Sequence, residues 1–212
     1  MSIYDNLEIF IVANPHRKSL TKDAMDELSI EYSINMTPDY SVPPKWRPEK
    51  RWAYIYKHNP KARNGHLRCQ YGHRDCMNKR DVSKSQLMLE DDAVPNKENW
   101  LEIVEKGIDL LNDYQVVSLH GRKRRPDEWD CFDHKGIKFL KPKPERKGKV
   151  WCLGSLAFLM REDAIQNFIK LPYTGMPMDM IIGNRYSFCV VDDSPFNHDR
   201  TEGSLIDKVK KK

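Results

Sequence analysis

The sequence predicts an α/β domain built on a mixed, mainly parallel central sheet with helices on both faces. Three observations carry that prediction. Short apolar runs of strand length alternate along the chain with segments whose apolar residues recur at helical spacing. Residues 85–89, 101–111 and 115–119 read as strand, helix and strand in that order, the pattern of a parallel crossover. Finally, 5 Trp, 9 Tyr and 7 Phe supply core material that disordered chains lack, although only 39% of the 212 residues are hydrophobic and 32% are charged. That length suits one sizeable core. A single domain is expected over 1–206, and the lysine-rich 207–212 reads as a tail or as the stub of a linker to further domains.

Leu7-Glu-Ile-Phe-Ile-Val-Ala13 is a buried first strand, stopped by Asn14-Pro15. Ser19 or Thr21 can cap a helix carrying Leu20, Ala24, Met25 and Leu28 at helical spacing. Residues 31–35 are expected as a second strand, after which Pro38, Pro43, Pro44 and Pro48 impose a long extended loop. A helix is expected from near Gly65, with Cys69, His73, Cys76 and Met77 on one face. The strand 85–89 then runs into Glu90-Asp91-Asp92. Leu101, Val104, Ile108 and Leu111 mark an amphipathic helix, and 115–119 resumes as strand. The basic, proline-containing stretch 121–149 reads mostly as a mobile loop with one short strand at 137–140. Residues 150–160 are expected as a strand broken near Gly154. Ala164, Ile165, Phe168 and Ile169 mark a helix, a short helix starts near Met178, and a strand at 188–192 precedes an irregular tail.

No run approaches the roughly 18 apolar residues that span a bilayer. The start of the chain lacks a basic segment, and the apolar run 9–13 is too short for a signal peptide, so the cytoplasm is the expected compartment. Five scattered cysteines without a C-x-x-C pair are expected as reduced thiols. Net charge is +5, but it is distributed in blocks: +9 over residues 41–80, −6 over 81–113 and +6 over 121–149. An acidic segment between two basic ones suits a divalent cation beside a polyanionic ligand, although charge blocks are more often simply solvated faces.

Glu90-Asp91-Asp92 is the strongest chemical signal, because acids at the carboxyl end of a strand sit where open α/β sheets bind ligands. Alternation along an extended chain puts Glu90 and Asp92 on one side, able to hold Mg²⁺ or Mn²⁺, with Asp91 turned toward a ribose or the protein. A helix-capping acidic turn explains the same residues. His198 can close such a site from far along the chain, or be a surface histidine. His66, Cys69, His73 and Cys76 have no ordinary zinc spacing, which disfavours zinc. Trp46, Trp52, Tyr54 and Tyr56 interleave with basic residues, a pattern for stacking on bases or sugars and also for an edge strand. Asp179, among methionines, can serve as an acid–base group or as a helix N-terminal acid. P-loop and dinucleotide-binding glycine motifs are absent.

Taken together, Phe10-Ile-Val-Ala-Asn-Pro-His-Arg17, the Gly65-x-x-x-Cys69-x-x-x-His73 helix, Leu89-Glu-Asp-Asp92, the stretch 151–169, Pro177-Met-Asp179 and Asn197-His-Asp-Arg-Thr-Glu-Gly-Ser204 follow a known order. The chain resembles GT-A-fold glycosyltransferases of the lipopolysaccharide and procollagen galactosyltransferase family over most of 7–206. Its compact size is also similar to the small glycosyltransferase domains of large algal (chlorella) viruses, which would place it in host cytoplasm. The resemblance implies transfer of a hexose or deoxyhexose from a UDP-sugar to a hydroxyl of a glycan or glycoconjugate, with Mn²⁺ or Mg²⁺. It implies Glu90, Asp92 and His198 as metal ligands, and Val12, Asn14, Arg17, Arg68 and Asp91 on the donor side. Asp179 would be catalytic, and His120 and Gly154 would face the acceptor. Gly72 stands where the family usually has serine, and Pro15-His16 replaces an acid in the opening turn. The competing expectation is a basic nucleic-acid-binding module, or a Mg²⁺-dependent nuclease using the same acids.

Overall fold

The computed structural model describes residues 6–15, 18–37, 60–121, 126–146, 155–173 and 176–198. The proline-rich segment 38–59 with Trp46, Trp52, Tyr54 and Tyr56, the donor-side Arg17, the acceptor-side Gly154 and the lysine-rich end lie outside these residues. An eight-stranded mixed sheet organises the described chain. Its strands are β1 (Leu7–Ala13), β2 (Ser33–Met36), β3 (Ser85–Glu90), β5 (Val116–Ser118), β6 (Trp129–His134), β7 (Ile137–Pro142), β8 (Ala157–Met160) and β9 (Phe188–Val191). They are arranged in the order β2-β1-β3-β8-β5-β9-β7-β6. Two short strands, β4 (Ala93–Pro95) and β10 (Phe196–His198), pair with each other antiparallel outside that sheet.

Six of the eight strands run in one direction; β7 and β8 oppose them. The expected crossover from β3 to β5 is therefore present with a difference: β8 is inserted antiparallel between them. Because β1, β3 and β5 run together, Asn14, Glu90 and His120 emerge at one edge. The reversed β8 brings Ser155, which precedes it, to that same edge.

Helices cover both faces. α1 (Leu20–Glu27) and α3 (Trp100–Leu110) pack on Ile9, Ile11, Leu87 and Leu159, whereas α2 (Pro60–Lys79), α4 (Glu162–Lys170) and α5 (Met178–Arg185) cover Phe10, Val12, Met88 and Phe158. Successive residues of β1 and β3 point to opposite faces, both buried, and so supply both layers at once. Ser19 caps α1 as expected, its Oγ accepting from the Lys22 amide at 3.2 Å. At the far end of α4, Arg74 reaches across from α2 to donate to the Leu171 and Phe168 carbonyl oxygens at 2.5 and 3.4 Å. Its guanidinium lies 3.9 Å over the Tyr173 ring, which stacks on Tyr71. A cation there answers the carbonyls a helix leaves unpaired at its C-terminus. Arg80 pairs with Glu162 at the other end of α4, and that partnership holds the Glu162 carboxyl below its usual range.

Four sequence expectations need correction. α2 begins at Pro60, five residues before the expected start, with proline in the first-turn position it favours. The core stripe of α3 is Trp100, Ile103, Val104, Gly107 and Leu110; Leu101 and Ile108 lie at its margins, so the helix is rotated from the face first read. The stretch 121–149 contains a β6–β7 hairpin in place of a mostly mobile loop, and the short strand expected at 137–140 is its β7. Its two-residue turn, Lys135-Gly136, has positive φ at both positions, 51° and 85°, the requirement of the tight turn that matches strand twist. Residues 196–198, expected in an irregular tail, form β10.

Gly72 has a packing reason. A Cβ there would lie 2.5 Å from Val12 Cγ1 and 2.7 Å from Thr37 Cγ2, so α2 rests directly on the ends of β1 and β2. Asn35 Nδ2 donates to the Gly72 carbonyl at 3.2 Å across the same contact. Substituting alanine relieves up to about 1 kcal/mol of helix-propensity cost but forces apart two side chains seated against the sheet, at roughly 1–3 kcal/mol. Gly72→Ala is expected to lower the urea midpoint of unfolding with an unchanged denaturant slope, and Gly72→Ser to do the same.

Candidate active site at the carboxyl edge of the sheet

The Glu90-Asp91-Asp92 turn leaves β3 at the edge where β1 and β5 also end. Its three carboxylates have three different surroundings. Asp91 is 2% exposed and turned into the protein, where its Oδ2 accepts the Asn14 amide at 2.8 Å. The same turn is held by α1: Thr21 Oγ1 donates to the Glu90 carbonyl at 2.6 Å, and the Thr21 amide to the Asp91 carbonyl at 3.2 Å. A Leu156 carbonyl accepts the Glu90 amide at 2.8 Å. The ends of β1, α1 and β8 thus fix the backbone under the acids.

Asp92 is also buried and meets His198, whose Nε2 lies 2.9 Å from Asp92 Oδ2. β10 makes this contact: its antiparallel register sets His198 opposite Ala93, next to Asp92. The His120 ring stands nearly perpendicular to that of His198, 6.1 Å centroid to centroid. His120 Nδ1 lies 3.2 Å from Ser194 Oγ and 3.3 Å from the Phe196 carbonyl oxygen. Ser194 Oγ also bonds the Phe196 backbone, so it ties His120 to the start of β10.

Glu90 points elsewhere. Ser155 Oγ donates to Glu90 Oε1 at 2.6 Å, and the Cys69 thiol approaches the same oxygen at 3.7 Å. Cys69 Sγ is 3.5 Å from His73 Nδ1, and Nδ1 is 2.8 Å from the Cys69 carbonyl oxygen. The carboxylate is thus gathered with Cys69 and His73, while Asp92 is gathered with His198. Burial pushes the Cys69 thiol well up, reinforced by the negative charges of Glu90, Asp179 and Asp92. That coupling shows all three acids acting on one neighbourhood. Burial also lowers the His73 imidazole, against the opposing pull of Glu90, and lowers His66 to about 4.

Asp179 occupies the first turn of α5, and its Oδ1 accepts the Met180 amide at 2.9 Å. This is the helix N-terminal arrangement considered for it, located within electrostatic reach of Cys69. Val12 is buried beneath Gly72, and Arg68 lies on α2 immediately before Cys69, half-buried. Sequence reasoning did not find Ser155 or Ser194, nor the joining of Cys69 and His73 to Glu90. The first two carry no local signal, being single serines outside any motif. The third depends on how α2 lies across β3.

The cation-binding expectation can be tested on geometry. Cis ligands of an octahedral Mg²⁺ or Mn²⁺ with bonds of about 2.1 Å are separated by roughly 3 Å, and the 2.9 Å between Asp92 Oδ2 and His198 Nε2 fits that spacing. Glu90 does not complete a compact three-ligand set with these two among the described residues; the group of three that does form is Cys69, His73 and Glu90.

No protein-family model matches the chain, and no curated protein matches it. Solved structures do. A crystallised protein of STIV is 12% identical, with a TM-score of 0.42, over 89% of this chain and 83% of that one. A glycosyltransferase involved in glycosylation of the major capsid of PBCV-1 is 13% identical, with a TM-score of 0.39, over 76% of this chain. The matched region spans 63% of that enzyme's chain, less than two thirds of its length. Among the described residues, no helix is long and apolar enough to cross a membrane.

Asp91 is the acid whose role the geometry defines most sharply. A hydrogen bond to a charged acceptor contributes about 1.5–3 kcal/mol. Asp91→Ala is expected to destabilise the protein by about that amount in a urea titration, whereas Asp91→Asn, which keeps an acceptor oxygen, recovers much of the loss.

Proposed function

We propose that the protein is a metal-dependent glycosyltransferase that moves a hexose or deoxyhexose from a UDP-sugar to a hydroxyl of a glycan or glycoconjugate. The observation that carries this reading is the Asp92–His198 pair at the carboxyl edge of the sheet, built from β3 and β10 and spaced for a hard divalent cation. Mg²⁺ and Mn²⁺ commonly keep open positions and take phosphate oxygens in them, so two protein ligands suffice when a diphosphate is the second partner. Bound there, the ion would neutralise charge growing on the diphosphate leaving group.

The chain's own residues supply the rest of the reading. Asn14 and Asp91 shape the turn at the end of β1, where the nucleotide would lie, and Arg68 and Arg17 are the cations expected on the donor side. In this reaction the bond from the sugar anomeric carbon to phosphate oxygen breaks and a bond to the acceptor oxygen forms. Asp179 takes the acceptor proton if configuration inverts. If configuration is retained, the leaving phosphate takes that proton and Asp179 only orients the hydroxyl. His120, whose ring stands beside that of His198, would face the acceptor. Glu90, gathered with Cys69 and His73, would join the ion only by turning its carboxylate toward Asp92 and His198.

Calorimetric titration of UDP with and without Mn²⁺ tests this. Wild type is expected to bind UDP only with Mn²⁺, and Asp92→Asn to weaken that binding at least about tenfold, on the order of 1.4 kcal/mol. Absence of UDP binding under any metal condition, together with salt-sensitive oligonucleotide binding, would replace this reading with a nucleic-acid module.

A further inference from the structure

We infer that Cys69, His73 and Glu90 form a second cation site, suited to zinc or another borderline transition metal and separate from the Asp92–His198 pair. The three side chains come from two elements, α2 and the end of β3, and offer one sulfur, one ring nitrogen and one carboxylate oxygen, all within 4.8 Å of one another. With bonds of about 2.3 Å to sulfur and 2.0–2.2 Å to nitrogen or oxygen, tetrahedral zinc holds neighbouring ligand atoms roughly 3.3–3.7 Å apart. Cys69 Sγ lies 3.5 Å from His73 Nδ1 and 3.7 Å from Glu90 Oε1. Only small side-chain adjustments separate the present arrangement from a ligated one.

The surroundings support the same assignment. His73 is fully buried, and ligation through Nδ1 exchanges that atom's 2.8 Å contact with the Cys69 carbonyl oxygen for the ion. Ser155, donating to Glu90 Oε1 at 2.6 Å, orients the carboxylate as an outer-shell partner would. The ring packs on Phe158, 5.3 Å between centroids, which gives the site an apolar wall. Sulfur with imidazole selects zinc-class ions over Mg²⁺ and Ca²⁺. Three protein ligands leave a fourth position for water or an exogenous group. On binding, the thiol proton of Cys69 passes to solvent as sulfur takes the ion.

The C-x-x-x-H spacing in α2 disfavours zinc when read alone, because two ligands on one helix turn do not make a site. The third ligand comes from β3 and is placed by the fold. The site does not depend on the glycosyltransferase reading: its ligands differ from the Asp92–His198 pair, and it would stand if UDP did not bind.

Cobalt is the probe, since thiolate ligation gives Co²⁺ an intense sulfur-to-metal charge-transfer absorption that oxygen and nitrogen ligands alone do not. Co²⁺ titrated into the reduced, metal-free full chain is expected to produce this band at one equivalent and to lose it on addition of Zn²⁺. Cys69→Ser should abolish the band, while Cys131→Ser retains it. Glu90→Gln, at a partly exposed position, should weaken Co²⁺ binding at least about tenfold, since loss of outer-shell partners alone costs roughly 10–100-fold. The proposal is overturned if reduced wild type shows no charge-transfer band, if Cys69→Ser keeps it, or if folded Glu90→Gln binds as tightly as wild type.

Discussion

Asp91 is a carboxylate buried to 2% exposure, and the rest of the edge is arranged around keeping it there. A buried charge is tolerated only with hydrogen-bond donors in place. The Asn14 amide provides one, which ties the end of β1 to the turn after β3. Thr21 fastens the start of α1 to the same turn through its hydroxyl and its amide. The backbone that carries Glu90 and Asp92 is thereby fixed before either of them meets a ligand. Functional side chains held on such a frame keep their geometry better than those on free loops.

Three consecutive acids at one point repel one another, and the fold answers each separately. Asp91 receives a backbone amide, Asp92 faces His198, and Glu90 receives Ser155 and approaches Cys69. The negative field that remains, felt at Cys69 from Glu90, Asp179 and Asp92 together, is the kind that attracts cations. Dividing the acids between a histidine on β10 and a cysteine–histidine pair on α2 creates two ligand sets of different hardness a few residues apart. Hard oxygen and imidazole ligands suit Mg²⁺ or Mn²⁺ beside a diphosphate; thiolate and imidazole suit zinc.

Much of this was legible in the sequence. Apolar runs and helical spacing located β1, β3, β5, β9 and all five helices, because burial on two faces leaves a periodic trace. Glu90-Asp91-Asp92 stood out because it leaves the carboxyl end of an apolar strand, where open α/β sheets bind ligands, and the structure does turn Asp91 toward the protein, one of its two expected directions. The strand at 137–140 was legible as β7, but β6 and the hairpin were hidden because the strands carry charges on their exposed faces and the turn uses Lys135-Gly136, a pair less conspicuous than Asn-Gly. β10 is three residues long and exists only through its pairing with β4, so no local pattern announces it. Partners supplied by distant elements, Ser155 to Glu90 and Glu90 to Cys69, are consequences of register and helix seating. The glycine that allows that seating, Gly72, was noticed only as a departure from a family pattern.

The central claim is that the pairing of β10 with β4 places His198 beside Asp92 to hold a hard divalent ion. Histidine side-chain NMR with substoichiometric Mn²⁺ examines it most directly, with the His198 resonance assigned by its absence in His198→Gln. The account predicts that His198 broadens first and His120 next, while His134, on the outermost strand β6, stays sharp. A sharp His198 signal at Mn²⁺ levels that broaden other histidines would contradict it.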